Sequence, residues 1–240
     1  MPGRQGYAVV SCHVEYPLDD RIWRRYVALL QQRPGGFPIT SLMRAPFDGE
    51  DGSRFAERAR EAASLGPFGH HTHCTSPTHA RPTTGVPPAE RLLREGAWLR
   101  EQGLEPRFFC GGGWYTDPDV MSAVAELGYV DCTATAWRPP YLAPGAPRIG
   151  LDQPAYIRLD DGRRVLELPT THSLGAAAKS LARALPGVVH MHFHDYDLLD
   201  AKRRTAIGVT LALLARRRRP ASLDDLAAAR EVAWSDVWAG

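Results

Sequence analysis

At 240 residues and 44% hydrophobic content the chain can bury one sizeable core, and a single domain over 1–240 is expected. The formal net charge of +2 is too small to argue for nucleic acid or an anionic membrane as partner. The opening residues lack the apolar stretch of a secretory signal and no run of about 18 apolar residues occurs, so the expectation is a cytoplasmic protein with no membrane span.

Tyr7–Cys12 is an apolar, β-branched run and reads as a buried strand. Asp19 and Asp20 then place negative charge at a helix start, with Ile22, Tyr26, Val27 and Leu30 at helical spacing. Pro34-Gly35-Gly36 stops that helix, and Pro38–Met43 is the next strand. Ser53–Leu65 is a helix closed by Gly66-Pro67. Pro87-Pro88 opens a helix over Ala89–Gln102, with Gly103 past its end. Arg107–Cys110 is a strand, Asp117–Leu127 a helix capped by Gly128, and Tyr129–Ala134 another strand. Tyr156–Leu159 and Val165–Leu168 flank Asp160-Asp161-Gly162, a hairpin turn. Val188–Phe193 is the last strand, followed by a long helix over Leu198–Arg217 and a short one over Leu223–Arg230. Repeated strand–helix units imply parallel strands with helices outside, in a barrel or a doubly wound sheet. The Pro-rich stretch Arg138–Pro154 reads as an insertion near the active face. The four cysteines, Cys12, Cys74, Cys110 and Cys132, form no CxxC pair and read as free thiols.

All nine histidines fall in four places, each beside the end of a predicted strand. His13 follows the first strand, and His70, His71, His73 and His79 crowd into Gly69–His79. His172 follows Val165–Leu168, while His190, His192 and His194 alternate along the last strand. In parallel α/β folds the C-terminal strand ends share one mouth, where functional groups collect. Imidazole is the commonest ligand for zinc and its neighbours and the usual proton carrier near neutral pH. Convergence of these loops predicts a metal-assisted hydrolase site.

Four segments resemble the motifs of the polysaccharide deacetylase (NodB-type) superfamily of carbohydrate esterases. Ser11–Glu15 is similar to the first motif, in which an acidic base precedes an acidic metal ligand. Gly69–Thr75 is similar to the second, a histidine with another four positions on. Phe108–Tyr115, with Asp117-Pro118 and Ala125–Tyr129 after it, resembles the third, and Val188–Asp195 the last, an apolar strand ending in a catalytic histidine. The resemblance implies a distorted (β/α) barrel, one divalent metal ion with zinc favoured, and a deacetylase or amidohydrolase acting on non-peptide C–N bonds. A small-molecule or carbohydrate substrate is the implied partner.

The departures are specific. His13 stands at the base position, so the ligand position falls on Glu15. His71 keeps the first imidazole of the second motif, but four residues on is Thr75, and His73 or His79 must supply the missing ligand. Two residues apart on an extended strand, His71 and His73 share a face. Cys110 replaces an arginine that in the family pairs with the base, and a neutral His13 needs no such partner. The implied metal ligands are therefore Glu15, His71 and His73 or His79, with His13 as base. His194 is the acid, oriented by Asp195 or by His192. Gly111, Gly112 and Gly113 offer backbone N–H groups to an oxyanion, and Trp114 and Tyr115 a flat surface for a sugar ring. Tyr16, Trp137 and Tyr141 line the mouth. The competing readings are structural: His70 facing away from His71, His172 and His190 as hydrogen-bonded strand-end residues, Cys110 as a small buried filler, and Arg216–Arg219 as a solvated helix end.

Overall fold

The computed structural model describes residues 6–82, 85–139, 142 and 145–238. Its order matches the alternation of signals: β1 (Tyr7–Val14), α1 (Asp20–Gln32), β2 (Ile39–Met43), α2 (Gly52–Leu65), β3 (Phe68–Thr72) and α3 (Pro88–Glu101). Next come β4 (Phe108–Gly111), α4 (Pro118–Leu127), β5 (Val130–Asp131) and a hairpin of β6 (Ala155–Arg158) with β7 (Arg164–Glu167). The remainder is β8 (His172–Ser173), α5 (Leu174–Ser180), β9 (Val188–His194), α6 (Ala201–Arg217), β10 (Arg219–Pro220) and β11 (Glu231–Ala233). Helices begin where the sequence supplies acceptors: Asp19, Asp117 and Asp200 each take backbone N–H groups of a first turn. Gly128 ends α4 in the left-handed region at φ 71°.

The sheet runs β11-β6-β7-β5-β4-β3-β2-β1-β9-β8, with β10 also on β1. Its pairings are parallel apart from the β6–β7 hairpin. The way it curls depends on one stretch of chain. Glu167 of β7 is in register with Asp131 of β5, Thr170 bridges Thr135, and His172 of β8 is in register with Met191 of β9. Residues 164–173 thus form one stave with β5 on one side and β9 on the other. The result is the expected distorted (β/α) barrel, its ladder interrupted around Pro169, which has no N–H to give.

Alternation along the strands sorts side chains between two faces. Ala8, Val10, Cys12 and Val14 of β1 and Val189, Met191 and Phe193 of β9 pack with Tyr26, Phe55 and Leu211 from the helices. Val9, Leu42, Phe108, Cys110, Cys132 and Leu168 form the inner cluster, which Ala221, Leu223 and Leu226 complete.

That last contact corrects one expectation. The segment after α6 is not a helix over Leu223–Arg230 but a single 3-10 turn, Leu223–Asp225, running on to β11. Its apolar residues fill the barrel's inner cluster instead of forming a helical stripe. No helix among the described residues is long and apolar enough to cross a membrane.

Candidate metal centre

Because alternate residues face inward, β1 delivers Ser11, His13 and then Glu15, while β9 delivers His190, His192 and His194 beside them. The register sets Val9 against His190, Ser11 against His192 and His13 against His194. β3 contributes His71 and, just past its end, His73; Cys110 of β4 is in register with His71. At the C-terminal mouth a cavity of about 310 Å³ is lined by His13, Glu15, His71, His73, His79 and His194, with Arg81, Gly113, Trp114 and Tyr196.

The ligand atoms of Glu15, His71 and His73 all lie within 4.8 Å of one another. Glu15 Oε1 stands 3.5 Å from His73 Nε2 and 3.6 Å from His194 Nε2. Those separations are long for hydrogen bonds and close to the ~3.4 Å between two ligands bound at ~2.1 Å to one tetrahedral ion. His71 Nδ1 lies 2.7 Å from the Cys110 carbonyl, and His73 Nδ1 lies 3.0 Å from the Pro77 carbonyl. A carbonyl only accepts, so each Nδ1 carries the proton and each Nε2 keeps its lone pair, the usual outer-shell arrangement of a ligating imidazole. His73 Nε2 is buried and makes no hydrogen bond. A divalent ion fits this donor set. His79 lines the same cavity, but among the described residues it belongs to no group of three ligand atoms this compact.

His13 is buried, its ring centroid 4.3 Å from that of His71 and 5.2 Å from that of His194, and its Nε2 has no hydrogen-bond partner. Burial, and then the neighbouring imidazoles, push its pKa well below the ordinary value, so the ring is neutral. His194 is lowered too, chiefly by burial, while Glu15 opposes the shift. Asp195 is placed differently from the expectation. Its Oδ2 accepts the Tyr16 N–H and its Oδ1 the Tyr196 N–H, both at 2.8 Å, so it ties the end of β9 to the end of β1. Burial pushes its carboxyl up to about 7.

The glycine segment divides by residue. Gly113 and Trp114 line the cavity with left-handed backbone, φ 64° and 55°, a conformation that is strained for tryptophan. The Gly111 N–H is taken by Thr133 Oγ1 at 2.8 Å. Gly112 is a packing glycine, since a Cβ there would stand 2.3 Å from the Thr72 carbonyl oxygen. Trp137 stacks on His192 at 6.4 Å and 12°, beside Trp114. Tyr115 is carried away from the cavity, where its hydroxyl donates to Asp117 at 2.7 Å. Tyr16 meets Tyr196 edge to face, and Tyr141 lies outside the described residues.

The structural readings hold for several histidines. His70 faces outward to Glu95 of α3, 2.9 Å away. His190 bonds with Ser11 Oγ and the Leu168 carbonyl. Two residues at the site carry no motif signal. Tyr196 stacks on His194 at 4.9 Å and 14°. Arg44, at the end of β2, reaches the Glu15 backbone; its strand-end position is the one clue the sequence offers.

No protein-family model and no curated protein matches the chain. Among solved structures it is similar to the 4-α-glucanotransferase of Thermococcus litoralis (TM-score 0.59, 11% identity), covering 95% of this chain but only 40% of that enzyme. It is also similar to a family 4 carbohydrate esterase from Streptomyces lividans, determined with acetate (TM-score 0.53, 14% identity, 90% of this chain and 91% of that one). A third likeness is to a Bordetella bronchiseptica protein proposed to be a polysaccharide deacetylase of O-antigen biosynthesis (TM-score 0.50, 14% identity, 90% and 86%). At these identities the likeness establishes the fold, a divergent polysaccharide deacetylase-like barrel.

Proposed function

We propose that the chain is a metal-dependent hydrolase, with zinc as its ion, that removes an N-acetyl or similar N-acyl group from an amino sugar-like or other polar small molecule. One observation carries the reading: the ligand atoms of Glu15, His71 and His73 cluster at a mouth that also holds the imidazoles of His13 and His194. When bound, a divalent ion on these ligands supplies Lewis acidity toward an amide carbonyl and toward water.

The protein's own groups do the rest. His13 accepts the proton of the attacking water at its unpartnered Nε2, because its buried ring is neutral. His194 gives a proton from Nε2 to the departing amine; burial lowers its pKa, which makes the protonated ring a stronger acid, and Glu15 opposes that shift in part. Tyr196 stacks on that ring and limits its rotation. Trp114 offers an apolar face to a sugar ring. A cavity of about 310 Å³ suits a substrate of one or two sugar units.

The test is incubation with N-acetylated and N-formylated amino sugars. Free acyl acid should appear, stop with chelator and return with zinc. Replacement of the family's acidic base and arginine by His13 and Cys110 favours a second reading, a protein that binds such compounds without turnover. Tight binding with no metal-dependent release would support that reading and overturn the first.

A further inference from the structure

His13 and Cys110 are two of the three positions where this sequence departs from the deacetylase pattern, Thr75 being the third, and these two changes each introduce a metal-ligating side chain. Independent losses of a base and its partner would not require that. The fold brings the two new groups against the same imidazole: ligand atoms of His13, His71 and Cys110 all lie within 4.8 Å of one another. Cys110 faces His71 across the β3–β4 ladder, and all three residues are buried. His13 Nε2, on a residue only 1% exposed, has no hydrogen-bond partner. The Cys110 thiol makes a long contact, 3.8 Å, with the Gly111 carbonyl and otherwise meets the Thr133 side chain.

We propose that the barrel holds a second, deeper ion position on His13, His71 and Cys110, which takes a thiophilic divalent ion of the zinc and cobalt class. It rests on the metal-centre reading above and differs from it in its ligands. Imidazole and thiolate select borderline and soft ions, whereas a carboxylate set also accepts hard ones. His71 has one nitrogen to offer, because Nδ1 is committed to the Cys110 carbonyl. An ion on Glu15, His71 and His73 and an ion on the deeper set therefore exclude each other. Burial, with Asp131 and Glu167 nearby, keeps the free Cys110 thiol protonated. Coordination forms the sulfur–metal bond as the S–H proton leaves to solvent, so binding at the deep position releases one proton.

Cobalt(II) added to the metal-free protein reports on the two positions separately. A thiolate ligand gives an intense near-ultraviolet charge-transfer band, and any bound cobalt gives visible ligand-field bands. Wild type should show the charge-transfer band, and Cys110→Ser should lose it while still binding cobalt through Glu15, His71 and His73. Glu15→Gln should keep it. Cys110→Ala, alongside circular dichroism of each variant, guards against misfolding of the serine form. Cobalt bound to wild type without the band, or a band that survives both Cys110 variants, overturns the deep position and leaves the mouth set standing. A wild type that binds no cobalt overturns both.

Discussion

Arg44 Nε donates to the backbone carbonyl of Glu15 across 3.2 Å, which pins the candidate ligand from behind. The guanidinium is itself held: Nη1 and Nη2 fork onto Glu50 at 2.6 and 2.7 Å, and the rings of Phe47 and Phe55 lie about it. Arginine's planar fork makes all these contacts at once, and a lysine ammonium cannot.

Arg44→Lys keeps the charge and loses the clamp. Ion affinity is expected to fall about 10–100-fold, the usual effect of removing an outer-shell support. Competition against a chelator of known affinity measures it, with a thermal melt to show that the variant folds. Unchanged affinity would mean that Glu15 needs no such support.

The proposed base, His13, has its pKa pushed well below the ordinary imidazole value by burial and the neighbouring imidazoles. Activity should therefore persist as pH falls through about 6.5 and decline only beneath it. His13→Ala should lower kcat by roughly 10²–10⁴-fold. A His13→Ala variant with unchanged kcat and pH profile would remove His13 from the base role.

His194→Ala should lower kcat on an amide by a similar factor, on the order of 10²–10⁴. On an ester with a good leaving group, which departs without protonation, the loss should be much smaller. Equal losses on both substrates would show that His194 does something other than protonate the amine.

The imidazoles of this site are legible in the sequence because two regularities coincide. Parallel strands put their C-terminal ends at one mouth, and alternation sends His13 with Glu15, and His190 with His192 and His194, to one face of each strand. The choice between His73 and His79 is not legible, since it depends on how the chain turns after Thr72. The outward turn of Tyr115 is hidden for a similar reason: Gly113 and Trp114 adopt left-handed backbone, which reverses the direction that simple alternation predicts. Asp195 looks like a partner for its neighbour His194, yet its nearest donors are backbone N–H groups, which carry no sequence signature. The stave formed by residues 164–173 is hidden too, because its two halves pair with strands far apart in the chain.

Asp131 and Glu167 face each other in register, both fully buried. Asp131 Oδ1 accepts from Thr133 and Glu167 Oε1 accepts from the Ala134 N–H, while Oδ2 and Oε2 lack any outside donor. One proton shared between the carboxyls meets that need, and burial together with Asp131 pushes Glu167 well above the usual carboxylate range. A raised carboxyl pKa contributes stability below the unfolded value of about 4.3, and that contribution is lost as pH rises toward the folded value. Wild type should therefore lose stability progressively above about pH 4.5, and Glu167→Gln, whose amide donates without titrating, should flatten that slope. Urea midpoints across a pH series check it. Equal slopes in the two proteins would mean that the pair holds no shared proton.

The most direct test of the metal centre is elemental analysis of the purified protein beside His71→Ala, after equilibration with zinc and removal of free ion. Wild type should retain about one divalent ion per chain, and His71→Ala should retain none while keeping its circular dichroism. Full occupancy in His71→Ala, or a wild type that retains no ion, would contradict the assignment of Glu15, His71 and His73.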